Sequence, residues 1–529
     1  MTDSRSPWRA VASVLIGAAI LVYVGCSSNT PPEATDRVKP SIPADPNDDL
    51  AEDIEDDDRH VDAVLIVSGQ QYGYLEPCGC TEGQTGGLGR RADLMNQLRE
   101  QGQELLAIDL GSIIADPASS RAGPDQIRIK QGIGLEALAR LGYQALALSA
   151  DDLEIGLGEF VGQYLSVPDA PPLLATNIQP AEGLEETFRE SIQVKVGGLS
   201  VGILAVVDPR TITALNDPEQ DFFFQRVLDP MESVQVALPS LQSETDLQVL
   251  MVQGPSDLAR TLAEAFPEVE IVVGKSEYEY APARPERLHD GTTTLVLVGK
   301  KGQQVGVLDL FAATPDRPRY RRVRLDSRYH DIEPIRSLLG EEYLNRLDQN
   351  DVVENYPRRP HPSGARFVGA ETCKNCHPNT YQKWSTTKHA YAWPAIETGA
   401  RGNRTMDAEC VSCHATGFEY ESGFVNLATT PHLRNQQCEN CHGPGSLHIT
   451  DPMNWEYRSQ MVLTREEAEQ SLCIRCHDSD NDPHWDFSKR WPMVAHPKLD
   501  RYDDPKVRQG LDPNSLPVIS AQDDAAEGD

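Results

Sequence analysis

The chain has 529 residues, 39% of them hydrophobic, enough for two or three packed domains, and this excludes wholesale disorder. A formal charge of −33 excludes nucleic acid as a partner, because phosphate binding needs a basic face. It favours partner proteins that dock through a basic face.

Arg5 and Arg9 precede one apolar run, residues 10–25, which ends at Cys26. That length suits the core of an export signal better than a membrane span. Val24-Gly25-Cys26 resembles a lipoprotein cleavage box, so residues 1–25 read as a signal peptide and Cys26 as the acylated anchor to the membrane. Tyr23 stands where such a box usually has leucine, and an uncleaved anchor helix is the alternative. Either reading exports the rest of the chain. Residues 26–60 read as an acidic, proline-rich tether that cannot bury enough to fold; its segment 45–58 holds nine acids and no base.

From 61 to 325 the spacing predicts an α/β domain, with strands at 63–67, 105–110, 145–148, 248–252, 271–273 and 293–298. Amphipathic helices are expected at 92–101, 127–141 and 256–266, and a hairpin turns on Gly197-Gly198. The strands are expected to be sandwiched by helices. Residues 326–366 form a connector, helical over 331–349 and rich in proline and arginine over 356–364. From 367 to 500 strand signals vanish and cysteine, histidine and tryptophan concentrate, with too few aliphatic runs for an ordinary core. Residues 501–529 are an acidic tail.

Four copies of one pattern lie in that last segment: Cys373-x-x-Cys376-His377, Cys410-x-x-Cys413-His414, Cys438-x-x-Cys441-His442 and Cys473-x-x-Cys476-His477. Two cysteines on one turn can each form a thioether to a haem vinyl group, and the following histidine is then directed to the iron as proximal ligand. Zinc also uses paired cysteines but does not demand a histidine in every fifth place. Disulfides within the pairs would leave the four histidines unexplained. Four covalent c-type haems are therefore expected, each supplying an apolar disc where the aliphatic core is missing. Five further histidines, His389, His432, His448, His484 and His496, are the candidates for the distal side of the irons. His389 lies between Trp384 and Trp393 in what reads as a helix.

The Phe367-to-Cys373 approach, Ser385 with His389, Cys438-Glu-Asn-Cys441-His442-Gly-Pro-Gly445 with His448, and Asp486-Phe487 with Trp491 and His496 resemble the nitrifier-type tetrahaem cytochromes c. Those proteins accept electrons from hydroxylamine oxidation. The resemblance implies distal roles for His448 on the first haem, His389 on the third and His496 on the fourth. The second haem, on His414, is left without a matched ligand; His432 and His484 are weaker candidates, as surface histidines or replacement ligands.

Residues 61–325 resemble the metallophosphoesterase domain of periplasmic nucleotidases, through the Gly73-to-Cys80 segment, Gly86-Gly87-Leu-Gly-Arg-Arg91, Asp109-Leu-Gly111, Asn177, Asp208 and Gly274. In that resemblance the two-metal ligand positions carry Gln70, Tyr72, Ser112, Ala150, Asp151, Gln253, Lys275 and Glu277. Such a set cannot hold two divalent metals, so the domain reads as catalytically silent. Cys78 and Cys80 beside it could be a redox or soft-metal pair, or a disulfide or relic. The glycine-rich stretch 83–89 lacks a P-loop lysine and is a weak phosphate signal.

The expected fold is thus an α/β metallophosphoesterase-like layered domain followed by a mainly α, loop-rich tetrahaem cytochrome c domain. The expected function is electron transfer by an exported, membrane-anchored chain. A redox enzyme acting on a small nitrogen or oxygen species at an open haem, and a nucleotidase with accessory haems, are the alternatives.

Overall fold

A computed structural model describes residues 59–77, 84–115, 120–212, 222–399 and 401–496. Cys26, Cys78 and Cys80, the signal segment, nearly all of the tether and the acidic tail lie outside the described residues.

The described residues contain fifteen strands: β1 (Ala63–Ser68), β2 (Leu105–Asp109), β3 (Ala145–Ala147), β4 (Leu173–Leu174), β5 (Ile178–Pro180), β6 (Phe188–Arg189), β7 (Ser191–Val196), β8 (Leu199–Val207), β9 (Phe224–Val227), β10 (Leu247–Gln253), β11 (Ile271–Lys275), β12 (Glu286–Leu288), β13 (Thr293–Val298), β14 (Gln304–Leu310) and β15 (Arg319–Arg324). One sheet runs in the order β15-β14-β1-β2-β3-β4-β6 and a second in the order β12-β13-β11-β10-β8-β7. Helices α1 (Leu88–Glu100), α2 (Gly123–Leu141), α3 (Leu157–Ser166), α4 (Pro230–Gln242) and α5 (Ser256–Ala265) flank them.

Side-chain alternation along each strand sets the layers. Leu65, Val67, Leu106 and Ile108 of one sheet meet Val201, Ile203, Val249 and Val273 of the other in a core between the sheets. The opposite faces turn to helices: Val64, Ile66 and Ala107 pack with α1 to α3, and Leu204, Val206 and Leu250 with α4 and α5. The order helix, sheet, sheet, helix sharpens the expected sandwich, because both faces of each central strand are buried. Such strands read in sequence as apolar runs without alternation, so which run belongs to which sheet is not visible there. The predicted hairpin turns at Gly197 and Gly198, both with positive φ (54° and 78°).

The connector is helical over Ile335–Ser337 and Tyr343–Gln349, with a wider turn, Leu338–Glu342, between them. Beyond it, short helices alternate with loops: Ala370–Lys374, Pro378–Ser385, Ala392–Glu397, Ala408–His414, Cys438–His442 and Phe487–Val494. A continuous helix through Trp384 and Trp393 does not form. It ends at Ser385, where the Ser385, Thr386 and Thr387 hydroxyls donate to the carbonyls of Gln382, Lys383 and Trp384. Hydroxyls that take up the last-turn carbonyls compete with continuation of the helix, and His389 sits in the 3₁₀ turn that follows.

Phe367, Trp393, Ala408, Val411, Ala415, Phe418, Phe424 and Leu433 join the same apolar cluster as α1 to α3. The protein part of the last segment's core is therefore built against the α/β domain, with each large side chain so buried contributing about 1.5–3 kcal/mol. Among the described residues no helix is long and apolar enough to cross a membrane.

Candidate functional site

The four Cys-x-x-Cys-His turns are folded as single helical turns. In the first, the Cys376 and His377 amides donate to the Cys373 carbonyl at 3.1 and 2.9 Å; in the fourth, Cys476 and His477 donate to Cys473 at 3.2 and 2.9 Å. The second and third lie in the helices Ala408–His414 and Cys438–His442. No disulfide joins the eight cysteines.

Three of the histidines that follow the cysteines have their rings oriented. His414 Nδ1 lies 2.5 Å from the Ala392 carbonyl, His442 Nδ1 2.8 Å from the Met461 carbonyl, and His477 Nδ1 3.0 Å from Asp482 Oδ2. A carbonyl can only accept, so Nδ1 carries the proton in the first two and Nε2 is left as the metal-facing atom. Burial holds His389, His414 and His448 below the ordinary histidine pKa, which favours the neutral, ligating imidazole.

Each of three motif histidines faces a second histidine. Ring centroids are 6.4 Å apart for His377 and His448, 6.2 Å for His389 and His477, and 5.8 Å for His442 and His496. Two metal–imidazole bonds of about 2.0–2.1 Å, plus about 1.1 Å from nitrogen to ring centroid on each side, separate trans ligands by about 6.3 Å. The pairs therefore fit an iron between them. His448 Nδ1, buried with no hydrogen-bond partner, is an atom such a centre would satisfy.

The pairing of rings differs from the expected assignment. His448 faces the first motif, as expected, but His389 faces the fourth rather than the third, and His496 faces the third rather than the fourth. Chain connectivity carries no information on which face of which ring these loops reach. Among the described residues no ring stands opposite His414. His432 and His484 are exposed, and His432 lies against Gly369 and Gln437 rather than His414.

The second site lies at the carboxyl ends of β1, β2, β3, β10 and β11, where α/β sheets place their ligands. Gln70, Tyr72, Ser112, Asp151, Gln253 and Lys275 meet there. Lys275 Nζ lies 2.9 Å from Asp151 Oδ2 and 3.3 Å from Ser112 Oγ, and the Ser112 hydroxyl donates to Asp151 at 2.5 Å. Tyr72 donates to Gln70 Oε1 at 2.9 Å, and the Gln253 amide donates to the Leu110 carbonyl. Gln70, Tyr72 and Ser112 all hold positive φ (50°, 51° and 60°), a strain that concentrates at functional rims. Burial raises Asp152 to about 7, against amide hydrogen bonds from Ile114 and Ser112. Glu277 stands apart, 3.3 Å from the Ser256 hydroxyl, and Ala150 has no donor atom in its side chain. Among the described residues no cluster of three or more histidine, cysteine, aspartate or glutamate side chains suits a metal ion. A lysine ammonium stands in the middle of these side chains, so this donor set does not fit a dinuclear metal centre.

The glycine-rich stretch is structural. At Gly87 an added Cβ would lie 2.7 Å from Pro77, and Arg91 reaches Ser68 at 3.2 Å and Asp109 at 3.5 Å in a buried network. Glu76 and Pro77, just before Cys78, are held from the far segment. Arg404 takes both Glu76 oxygens at 2.7 and 2.8 Å, and Arg401 donates to the Pro77 carbonyl at 3.1 Å.

Sequence reasoning missed the contacts that join the two halves. Gln126 and Lys130 on α2 reach Asp407 and Glu409 ahead of the second motif, while Arg121 reaches Asp478 after the fourth. No local pattern marks these residues, because their partners lie hundreds of positions away. The Ala392 and Met461 carbonyls were equally invisible, since every residue has one.

Residues 372–443 match the family described as cytochrome c554 and c-prime. A curated relative, cytochrome c-554 of Nitrosomonas europaea, is 32% identical over 93 residues, covering 15% of this chain and 40% of that protein. The chain thus spans well under half the length of that relative. Among solved structures, a 5'-nucleotidase precursor from Thermus thermophilus is 20% identical over 54% of this chain and 59% of its own (TM-score 0.44). The Thermus thermophilus sulfate thiohydrolase SoxB is 14% identical over 56% and 62% (TM-score 0.46). The calcineurin-like phosphoesterase YfkN from Bacillus subtilis is 17% identical over 54% and 98% (TM-score 0.43). The C-terminal segment resembles the multihaem c-type cytochromes, and the N-terminal part resembles the calcineurin-like phosphoesterase fold.

Proposed function

We propose that this chain is an exported, lipid-tethered electron carrier with four c-type haems, in which a catalytically silent phosphoesterase-like domain supports the haem segment. The three facing histidine pairs carry this reading, because bis-histidine iron suits electron transfer rather than ligand exchange. Cys373, Cys376, Cys410, Cys413, Cys438, Cys441, Cys473 and Cys476 would hold the haems, with His377, His414, His442 and His477 on the proximal side. Bound haem would supply a one-electron iron couple at each site.

The cysteines also give an order. Cys373 neighbours Cys438, Cys413 neighbours Cys476, and Cys441 is within electrostatic reach of Cys473. The attachment turns therefore follow one another as first, third, fourth, second. Such a row suits conduction from a donor at one end to an acceptor at the other, each docking through a basic face against this acidic chain.

A second reading rests on His414. Since no ring faces it among the described residues, the second iron would keep an open position, where a small nitrogen or oxygen species could bind and react. Spectra of the purified chain decide between the two: four low-spin centres support the carrier alone, and one high-spin centre in four supports the open site. The tether is tested by Cys26→Ala, which should abolish fatty-acid labelling and release the chain from membranes; retention without label would favour the uncleaved anchor.

A further inference from the structure

Arg121 belongs to the phosphoesterase-like part, two residues ahead of α2, yet its guanidinium ends among the haem-attachment turns. Nη2 pairs with Asp478 Oδ2, and Nη1 lies 3.8 Å from Cys413 Sγ. Asp478 directly follows His477, and its other oxygen accepts from the Asn481 amide at 2.8 Å and the Asn481 side chain at 2.9 Å, so the carboxylate is held in one orientation. Cys413 and Cys476 are themselves neighbours, so this ion pair stands where the second and fourth attachment turns meet. The cation makes its contact at Cys413 of the second motif and the anion adjoins His477 of the fourth, while the Arg121 charge also reaches Cys476 and the Asp478 charge also reaches Cys413. Close by, Asp480 is neutralised separately, by Lys301 at 2.5 Å and by the Tyr74 hydroxyl at 2.7 Å.

A fixed cation beside an iron favours the reduced, less positive state, and a fixed anion favours the oxidised one. Both effects are larger in a part-buried site than in water. We propose that the Arg121–Asp478 pair, half of it donated by the phosphoesterase-like domain, sets the second and fourth haems apart in reduction potential, holding the second higher and the fourth lower. This rests on the haem attachment proposed above. The silent domain thereby acquires a redox role, since electrons passing along the row would settle on the second iron, the one at its end. A merely structural clamp would join the two parts without separating the potentials.

The test uses the full-length chain with its haem complement counted first, so that missing haem, which would sink the proposed attachment, is distinguished from unchanged potentials. Potentiometric titration then follows Arg121→Gln, Arg121→Lys and Asp478→Asn, with the second centre recognised by its spin state or by loss in a Cys410→Ser, Cys413→Ser chain. Arg121→Gln should lower the second midpoint potential and leave the first and third unmoved, and Arg121→Lys should restore most of it. Asp478→Asn should raise the fourth. Four unchanged potentials, or a common shift of all four with a lowered melting temperature, would overturn the proposal. Should Arg121→Gln fail to mature, Asp478→Asn alone still reports the rise of the fourth potential, and an unmoved fourth potential in that variant overturns the proposal.

Discussion

Lys275 Nζ lies 2.9 Å from Asp151 Oδ2 and shares that carboxylate with the Ser112 hydroxyl. An ammonium thus stands among side chains that offer one carboxylate and no imidazole, too few donors for a two-metal centre. The chain should show no metal-dependent release of phosphate from a nucleotide or p-nitrophenyl phosphate, with manganese, zinc or calcium added. Turnover that disappears on mutating this domain would contradict the reading.

The eight motif cysteines should yield four haem masses on the mature chain, resistant to acid-acetone extraction. Replacing both cysteines of one turn by serine should remove one mass and leave three. A fully matured sample with three or fewer haems would refute the count.

The facing rings make an assignment that can be checked one histidine at a time. His389→Ala should turn the centre held by His477 high-spin, and His496→Ala the centre held by His442. Electron paramagnetic resonance of each variant, combined with loss of the matching attachment turn, identifies the centre affected. The reverse outcome would restore the assignment implied by family resemblance.

His414 stands without an opposite ring among the described residues, so the native chain should show one high-spin ferric centre in about four. That centre should bind nitric oxide or a similar small ligand. His432→Ala should leave the spectrum unchanged, since His432 is exposed and turned to Gly369. A new high-spin signal in His432→Ala would show that His432 closes the site.

Lys130 of α2 is buried and pairs with Glu409, two residues past Asp407 on the approach to the second motif. Burial pulls its pKa down, but Glu409 and Asp407 more than offset this and leave it raised above 10.5. A raised folded-state value means the pair's contribution is fully present below pH 10.5 and is lost as pH climbs through the higher folded value. Lys130→Met should cost about 1–3 kcal/mol, because Glu409 is left unpaired but is partly exposed. Denaturant unfolding at neutral pH measures the loss, and the difference between wild type and variant should shrink in strong alkali.

The four Cys-x-x-Cys-His turns and the change from strand-rich to cysteine-rich sequence near residue 367 are legible in the residues alone. A Cys-x-x-Cys-His turn places its three functional atoms within five residues, so local geometry suffices to recognise it. Strands such as β1 and β13 are legible as short apolar runs and helices such as α2 by their periodicity, both of them local signals. The short strands β4 and β6, two residues each, carry no periodic signal, and the apolar runs cannot say which sheet they join. Only the packed chain reveals which histidine faces which motif, the seating of Lys275 against Asp151 at the strand ends, and the reach of Arg121 into the cysteine turns. The physical reason is common to all three. Each depends on where long loops and packed sheets bring side chains together, and contact across hundreds of residues leaves no mark on the residues' neighbours in the chain.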